Sequence, residues 1–206
     1  MTRYAIIDFE TNGLMPEAGG RALEVAAVMV EDGRIVDSWQ SLMNPGVSVL
    51  PFITALTGIT PAMVRGAPPP AEAMAGVAAF VGDATLVAHN ASFDRRFWQY
   101  ELGRICQACA HEFLCTVLLA RRLYPWSPNR KLATLVDVHD TPVEGRHHRA
   151  LADASMTARL FLTMQRDLQR LHDNVTPDLD FLLQYQRTPK AKVRSMPALA
   201  PVPYRR

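Results

Sequence analysis

Apolar residues fall in short blocks whose period changes along the chain, and those changes predict the elements. Tyr4 to Asp8 is a brief apolar run of strand length, and Arg21 to Val30, Asp32-Gly33 and Ile35 to Leu42 read as strand, tight turn and strand. Pro51 to Leu56 is a short helical block, and Thr60-Pro61 opens another with a capping residue before a first-turn proline. After the break Pro68-Pro69-Pro70, an alanine-rich amphipathic helix is predicted over about Ala71 to Val81. Leu86 to His89 predicts a strand, Asn90 or Ser92 caps a helix towards Leu102, and Phe113 to Cys115 predicts a further strand.

Thr116 to Leu123 and Lys131 to Val138 read as helices around a loop at Pro125 to Asn129. Ala150 to about Leu171 reads as a long helix, with Leu160, Phe161 and Met164 on its apolar side. Three leading strands followed by alternating helices and strands predict an α/β fold, a mixed sheet of five strands covered by helices. With 206 residues the chain accommodates one such domain, taken as 1–175, and a C-terminal extension, 176–206. That extension allows one more short helix, Leu179 to Gln186, and then turns basic and proline-rich, so flexibility is expected from about Arg187.

No apolar stretch approaches the roughly 18 residues of a membrane helix, and Asp8 stands where a signal peptide would continue its apolar region, so a cytoplasmic protein without membrane contact is expected. The net charge of +2 conceals a slightly acidic body in front of a tail carrying Arg187, Lys190, Lys192, Arg194, Arg205 and Arg206. Such a body repels a polyanion unless cations are bound or basic groups cluster. Three cysteines argue against a disulfide framework. Cys106, Cys109, His111 and Cys115 offer soft ligands within ten positions, but His111 is too near Cys109 for easy tetrahedral closure, and ordinary thiols are the favoured reading.

Chemistry gathers elsewhere. Asp8 and Glu10 are two apart on a strand and face one way. At ~4 Å and an effective dielectric near 20 they repel by on the order of 4 kcal/mol, which raises a pKa or is relieved by a cation. Asp94 follows the Leu86 strand and reads equally as a helix-start carboxylate or as a third member. Asp153 shares its helix face with Met156, Leu160 and Met164, so it needs a partner there: a shared cation, or an arginine among Arg121, Arg122 and Arg149. His148 stands in the loop before that helix, after Gly145, and its neighbour His147 is a competing choice. Four acids and a histidine supply oxygen ligands for two hard cations and a base of ordinary pKa near neutrality, the parts that phosphodiester cleavage requires.

Ile6 to Leu14, His89 to Asp94 and His148 to Asp153 resemble the three motifs of the DEDDh-type, DnaQ-like 3′-to-5′ exonucleases. Thr57 to Thr60, Cys115 to Pro125 and Lys131 to Leu135 extend the resemblance over about Tyr4 to Met164. It implies a ribonuclease-H-like sheet and release of nucleoside monophosphates from a free 3′ end, of DNA in preference to RNA. It further implies that Asp8, Glu10 and Asp153 hold one Mg²⁺ or Mn²⁺, that Asp8 and Asp94 hold a second, and that His148 takes the proton of the attacking water. Thr11, Asn12, Gly13, Leu14, His89, Asn90 and Phe93 would meet the substrate, with Leu14 wedged against the terminal bases and His89 favoured in a structural role. Asn12 departs from the threonine common in the family. An exoribonuclease, and a silent nucleic-acid-binding subunit, are the competing functions; a DNA polymerase or repair protein is the implied partner, and the oligomeric state is open.

Overall fold

The structure is a computed structural model, and it describes residues 2–141, 148–171 and 177–193. Five strands, β1 (Arg3–Thr11), β2 (Ala22–Glu31), β3 (Arg34–Leu42), β4 (Thr85–Ala88) and β5 (Phe113–Cys115), form one sheet in the order β3-β2-β1-β4-β5. β2 runs antiparallel to both β1 and β3, whereas β4 and β5 continue parallel to β1. Asp32 and Gly33 join β2 to β3 with φ of 46° and 77°, the left-handed pair that a two-residue hairpin of the sheet's twist requires.

The helices are α1 (Pro51–Thr57), α2 (Pro61–Arg65), α3 (Pro70–Val81), α4 (Ser92–Arg104), α5 (Thr116–Leu123), α6 (Leu132–Val138), α7 (Ala150–Leu171), α8 (Leu179–Arg187) and α9 (Lys190–Val193). Alternation along β1 divides the core. Tyr4 and Ile6 pack with Val28, Val87 and Leu114 beneath α5, α7 and α8, while Ala5, Ile7 and Phe9 pack beneath α3 and α4. A third, smaller cluster of Leu23, Val49, Ile53, Ile59 and Val64 seats α1 and α2 beside the end of β2. None of the described helices is long and apolar enough to cross a membrane.

Two details differ from the sequence reading. β1 runs on to Thr11, past the predicted limit at Asp8, so Asp8 and Glu10 are both paired with β2 near its end. Neither Asn90 nor Ser92 caps α4: Asn90 takes a left-handed turn with φ of 69°, Ala91 occupies the cap position, and no side chain accepts there. Thr60 does cap α2, accepting from the Met63 N–H at 3.2 Å.

The stretch expected to be flexible from about Arg187 is held as far as Val193, because Arg122 Nε donates to the Thr188 carbonyl at 2.6 Å and Val193 is buried. The Gln186 side chain binds the edge strand β5 twice, accepting from the Cys115 N–H at 2.8 Å and donating to the Phe113 carbonyl at 2.9 Å. Gly145, His147 and 194–206 lie outside the described residues.

Candidate active site

The end of β1, the start of α4 and the start of α7 converge on a cleft of about 460 Å³. Its lining includes Asp8, Glu10, Asp94, His148 and Asp153 together, drawn from positions up to 145 residues apart. A second depression, about 600 Å³, is lined by Thr2, Tyr4, His139 and Arg159 at the start of β1 and contains none of the five.

Within the cleft, one ligand atom each from Glu10, His148 and Asp153 lie within 4.8 Å of one another, and this is the one such metal-competent group among the described residues. Asp94 is buried at the start of α4, and its Oδ1 accepts from the Phe9 N–H at 3.2 Å, which ties the helix to β1. The acids press on one another. Burial first, then Asp94, Asp153, Glu10 and Glu24, hold Asp8 well above the usual carboxylate range. Burial, followed by repulsion from Asp153 and Glu24, pushes Glu10 up to about 8, while Arg149 opposes the rise. Burial also raises Asp94 to about 7 against the N–H groups that favour its charged form. Carboxylate oxygens in a group that repels itself when ionised fit a hard divalent cation, and the imidazole beside them is left for proton transfer.

Two of the arginines offered as partners of Asp153 are engaged elsewhere. Arg149 grips Glu24, and Arg122 donates to the Leu118 and Thr188 carbonyls. Asp153 Oδ2 instead accepts from the His148 N–H at 3.1 Å, and His148 holds a left-handed φ of 63°. Cys106, Cys109, His111 and Cys115 are not gathered: Cys106 is exposed, Cys115 is buried in β5, and His111 Nε2 donates to the Gly82 carbonyl at 2.9 Å.

Of the expected substrate contacts, Thr11, Gly13, Leu14, His89, Asn90 and Phe93 line the cleft, and Asn12 does not. The Asn12 side chain accepts from the Arg21 N–H at 2.7 Å while its own N–H donates to the Arg21 carbonyl at 3.1 Å, closing the base of the loop that carries Leu14. That loop folds so tightly that a Cβ on Gly20 would stand 2.8 Å from the Met15 carbonyl oxygen. Arg21 then anchors it through a two-point pair with buried Glu101, at 2.9 and 3.0 Å. Leu14 is thereby left 79% exposed at the cleft mouth.

His89 has both ring nitrogens committed: Nε2 donates to the Arg130 carbonyl at 2.9 Å and Nδ1 accepts from the Thr116 hydroxyl at 2.8 Å. Burial lowers its pKa to about 4, so the ring is neutral. Sequence reasoning missed Phe52 and Leu56, exposed on one face of α1 and lining the same cleft as Leu14. Their signal was an i, i+4 apolar pair on a helix too short to need both for its core.

With the geometry in place, the comparisons with known proteins are specific. The family model described as an exonuclease, of the RNase T type, matches residues 5–161. The chain belongs to the exonuclease family. This exonuclease is similar to the PolC-type DNA polymerase III of Bacillus subtilis, 34% identical over 191 residues that make up 90% of this chain and 13% of that protein. It is also similar to the 3′-5′ exonuclease DinG of Bacillus subtilis, 36% identical over 174 residues, 82% of this chain and 18% of that protein. It thus spans less than a fifth of the length of these two relatives. Among solved structures, exonuclease X in complex with 5′ overhanging duplex DNA superposes with a TM-score of 0.70 at 32% identity, covering 89% of this chain and 99% of that one. The mixed five-stranded, ribonuclease-H-like sheet is therefore the family's fold.

Proposed function

We propose that this exonuclease hydrolyses phosphodiester bonds one at a time from the 3′ end of DNA and releases nucleoside 5′-monophosphates. The observation that carries the reading is the convergence of Asp8, Glu10, Asp94, Asp153 and His148 in one cleft whose mouth is apolar. Asp8, Glu10 and Asp153 would hold one divalent ion, Mg²⁺ or Mn²⁺, and Asp8 with Asp94 a second. When bound, the ions supply Lewis-acid stabilisation of the charge that builds on the phosphate and lift the repulsion between the acids and the substrate.

The protein's own groups do the rest. A His148 ring nitrogen accepts a proton from water as the water oxygen attacks phosphorus; the P–O3′ bond breaks, the 3′ oxygen takes a proton from solvent, and His148 returns its own to solvent. Leu14, Phe52 and Leu56 offer apolar faces on which terminal bases pack without regard to sequence, as a nuclease that shortens any end requires. Thr11 Oγ1 donates to the Gly13 carbonyl at 2.6 Å, keeping this turn shaped to receive the last nucleotide. The likeness to a stretch of the PolC-type DNA polymerase III supports a DNA polymerase as partner.

The test is a product ladder from 5′-labelled DNA and RNA oligonucleotides, with Mg²⁺, Mn²⁺ or chelator, beside Asp8→Ala and His148→Ala. A metal-dependent ladder shortening DNA from its 3′ end, absent in Asp8→Ala and slowed by about 10²- to 10⁴-fold in His148→Ala, is expected. Equal ladders from the Asp8→Ala protein would overturn the site, and a preference for RNA would overturn the substrate.

A further inference from the structure

We propose that Glu24 is a positioning residue of this exonuclease: with Arg149 it fixes the backbone from which His148 enters the cleft. The proposal rests on the reading of His148 given above. Glu24 is the single acid in an apolar run from Ala22 to Val30, and it is only 2% exposed. Such a side chain needs partners. The strand register sets it directly opposite Glu10, so both carboxylates lie on the same face of the sheet.

Their situations differ. Glu24 takes three donors: Arg149 Nη2 at 2.7 Å on Oε1, and Arg149 Nε at 3.1 Å with the Ala150 N–H at 3.0 Å on Oε2. It stands outside the metal-competent group that includes Glu10. Three consecutive residues are thus tied to two acids, His148 to Asp153, and Arg149 and Ala150 to Glu24. A left-handed φ at a histidine persists only when the surroundings dictate it. Asp153 is a candidate ion ligand, so its hold on the His148 N–H is shared with whatever fills the cleft. Glu24 has no such second duty, and its clamp keeps residues 148–150 in place when the cleft is occupied. Arg149 meanwhile sets a positive charge near Glu10, partly offsetting the field of Glu24.

The decisive experiment is a double-mutant cycle on the full chain, with kcat, KM, Mn²⁺ affinity and melting temperature measured for Glu24→Gln, His148→Ala and the double variant. Glutamine keeps the size and an acceptor for the Ala150 N–H while removing the charge that holds Arg149. Glu24→Gln is expected to lower kcat by about 10- to 100-fold, with KM and Mn²⁺ affinity within about twofold. In the His148→Ala background the same change should lower kcat by no more than about twofold, because the group being positioned is gone. Wild-type kcat in Glu24→Gln, or an equal loss in both backgrounds, refutes the proposal. Should Glu24→Gln fail to fold, Arg149→Lys, which keeps the charge but loses the two-point grip, is judged by the same criteria. A His148→Ala protein with wild-type kcat would sink the base assignment and this proposal together, whereas one slowed by about 10²- to 10⁴-fold beside a fully active Glu24→Gln would sink this proposal alone.

Discussion

Removing divalent ions and raising the pH should destabilise this protein, opposite to the usual gain of stability as carboxylates ionise. Glu10 is raised to about 8 and Asp94 to about 7, each mainly by burial. A carboxyl whose folded pKa lies above its unfolded one contributes stability that is complete below the unfolded value and lost as pH rises through the folded value. The window here therefore runs from about pH 4.5 to about pH 8. Moving Glu10 from 4.5 to about 8 corresponds to on the order of 5 kcal/mol. Because the acids titrate together, the single contributions do not sum, and the loss from Glu10 alone sets the scale. For a domain of this size that is a fall of roughly 10 to 20 °C in melting temperature. Ions at about 100 times their Kd would return about 2.7 kcal/mol per site.

The assay is calorimetric melting in chelator and in Mn²⁺ from about pH 5 to pH 9, with Asp8→Asn alongside. The gap between ion-bound and ion-free melting should widen with pH, and the variant should melt higher than wild type in chelator at the alkaline end. A gap that stays constant with pH, or a wild-type melting temperature in chelator that rises from pH 5 to pH 9, would refute the reasoning that these acids are strained by one another.

Other substitutions probe the surroundings of the cleft. Phe52→Ala should raise KM for single-stranded DNA by about 5- to 100-fold, the value of one base stack, and leave melting within a degree or two because Phe52 is 62% exposed. Arg21→Met strands buried Glu101 without its cation and should reduce stability in urea denaturation by roughly 3–5 kcal/mol. His89→Leu should reduce stability by about 1–3 kcal/mol by leaving the Thr116 hydroxyl and the Arg130 carbonyl short of a partner. In wild type, the His89 imidazole NMR shifts should show no titration midpoint above about pH 5, and a midpoint near 6.5 would contradict its burial.

What could be read from the chain beforehand followed periodicity. The two-residue spacing of Asp8 and Glu10 survives any error in strand length, so the longer β1 left their shared facing intact. The face of α7 carrying Asp153, Met156, Leu160 and Met164 was equally plain from the 3.6-residue repeat. What depended on partners far away in sequence was hidden. Glu24 gave a local sign, a lone acid in an apolar strand, but its role depends on a register with Glu10 and on Arg149, 125 positions away. Asn12 sat among residues expected at the substrate, and only the path of the chain to Arg21 turns its side chain away. Asn90 had the right chemistry to cap α4, yet the turn from β4 placed it one residue too early and in the wrong backbone conformation.

The Gln186 amide, accepting from Cys115 and donating to Phe113, behaves as a counterfeit peptide unit laid along the last strand. A sheet edge with unsatisfied backbone groups is a template for another chain, and one side-chain amide suffices to occupy the three-residue edge that β5 presents. A version cut back to residue 175 would retain all five residues assigned to the chemistry and still lose that plug. Such a truncation would meet its neighbours edge to edge, so the first sign of trouble would be turbidity rather than silence in the nuclease assay.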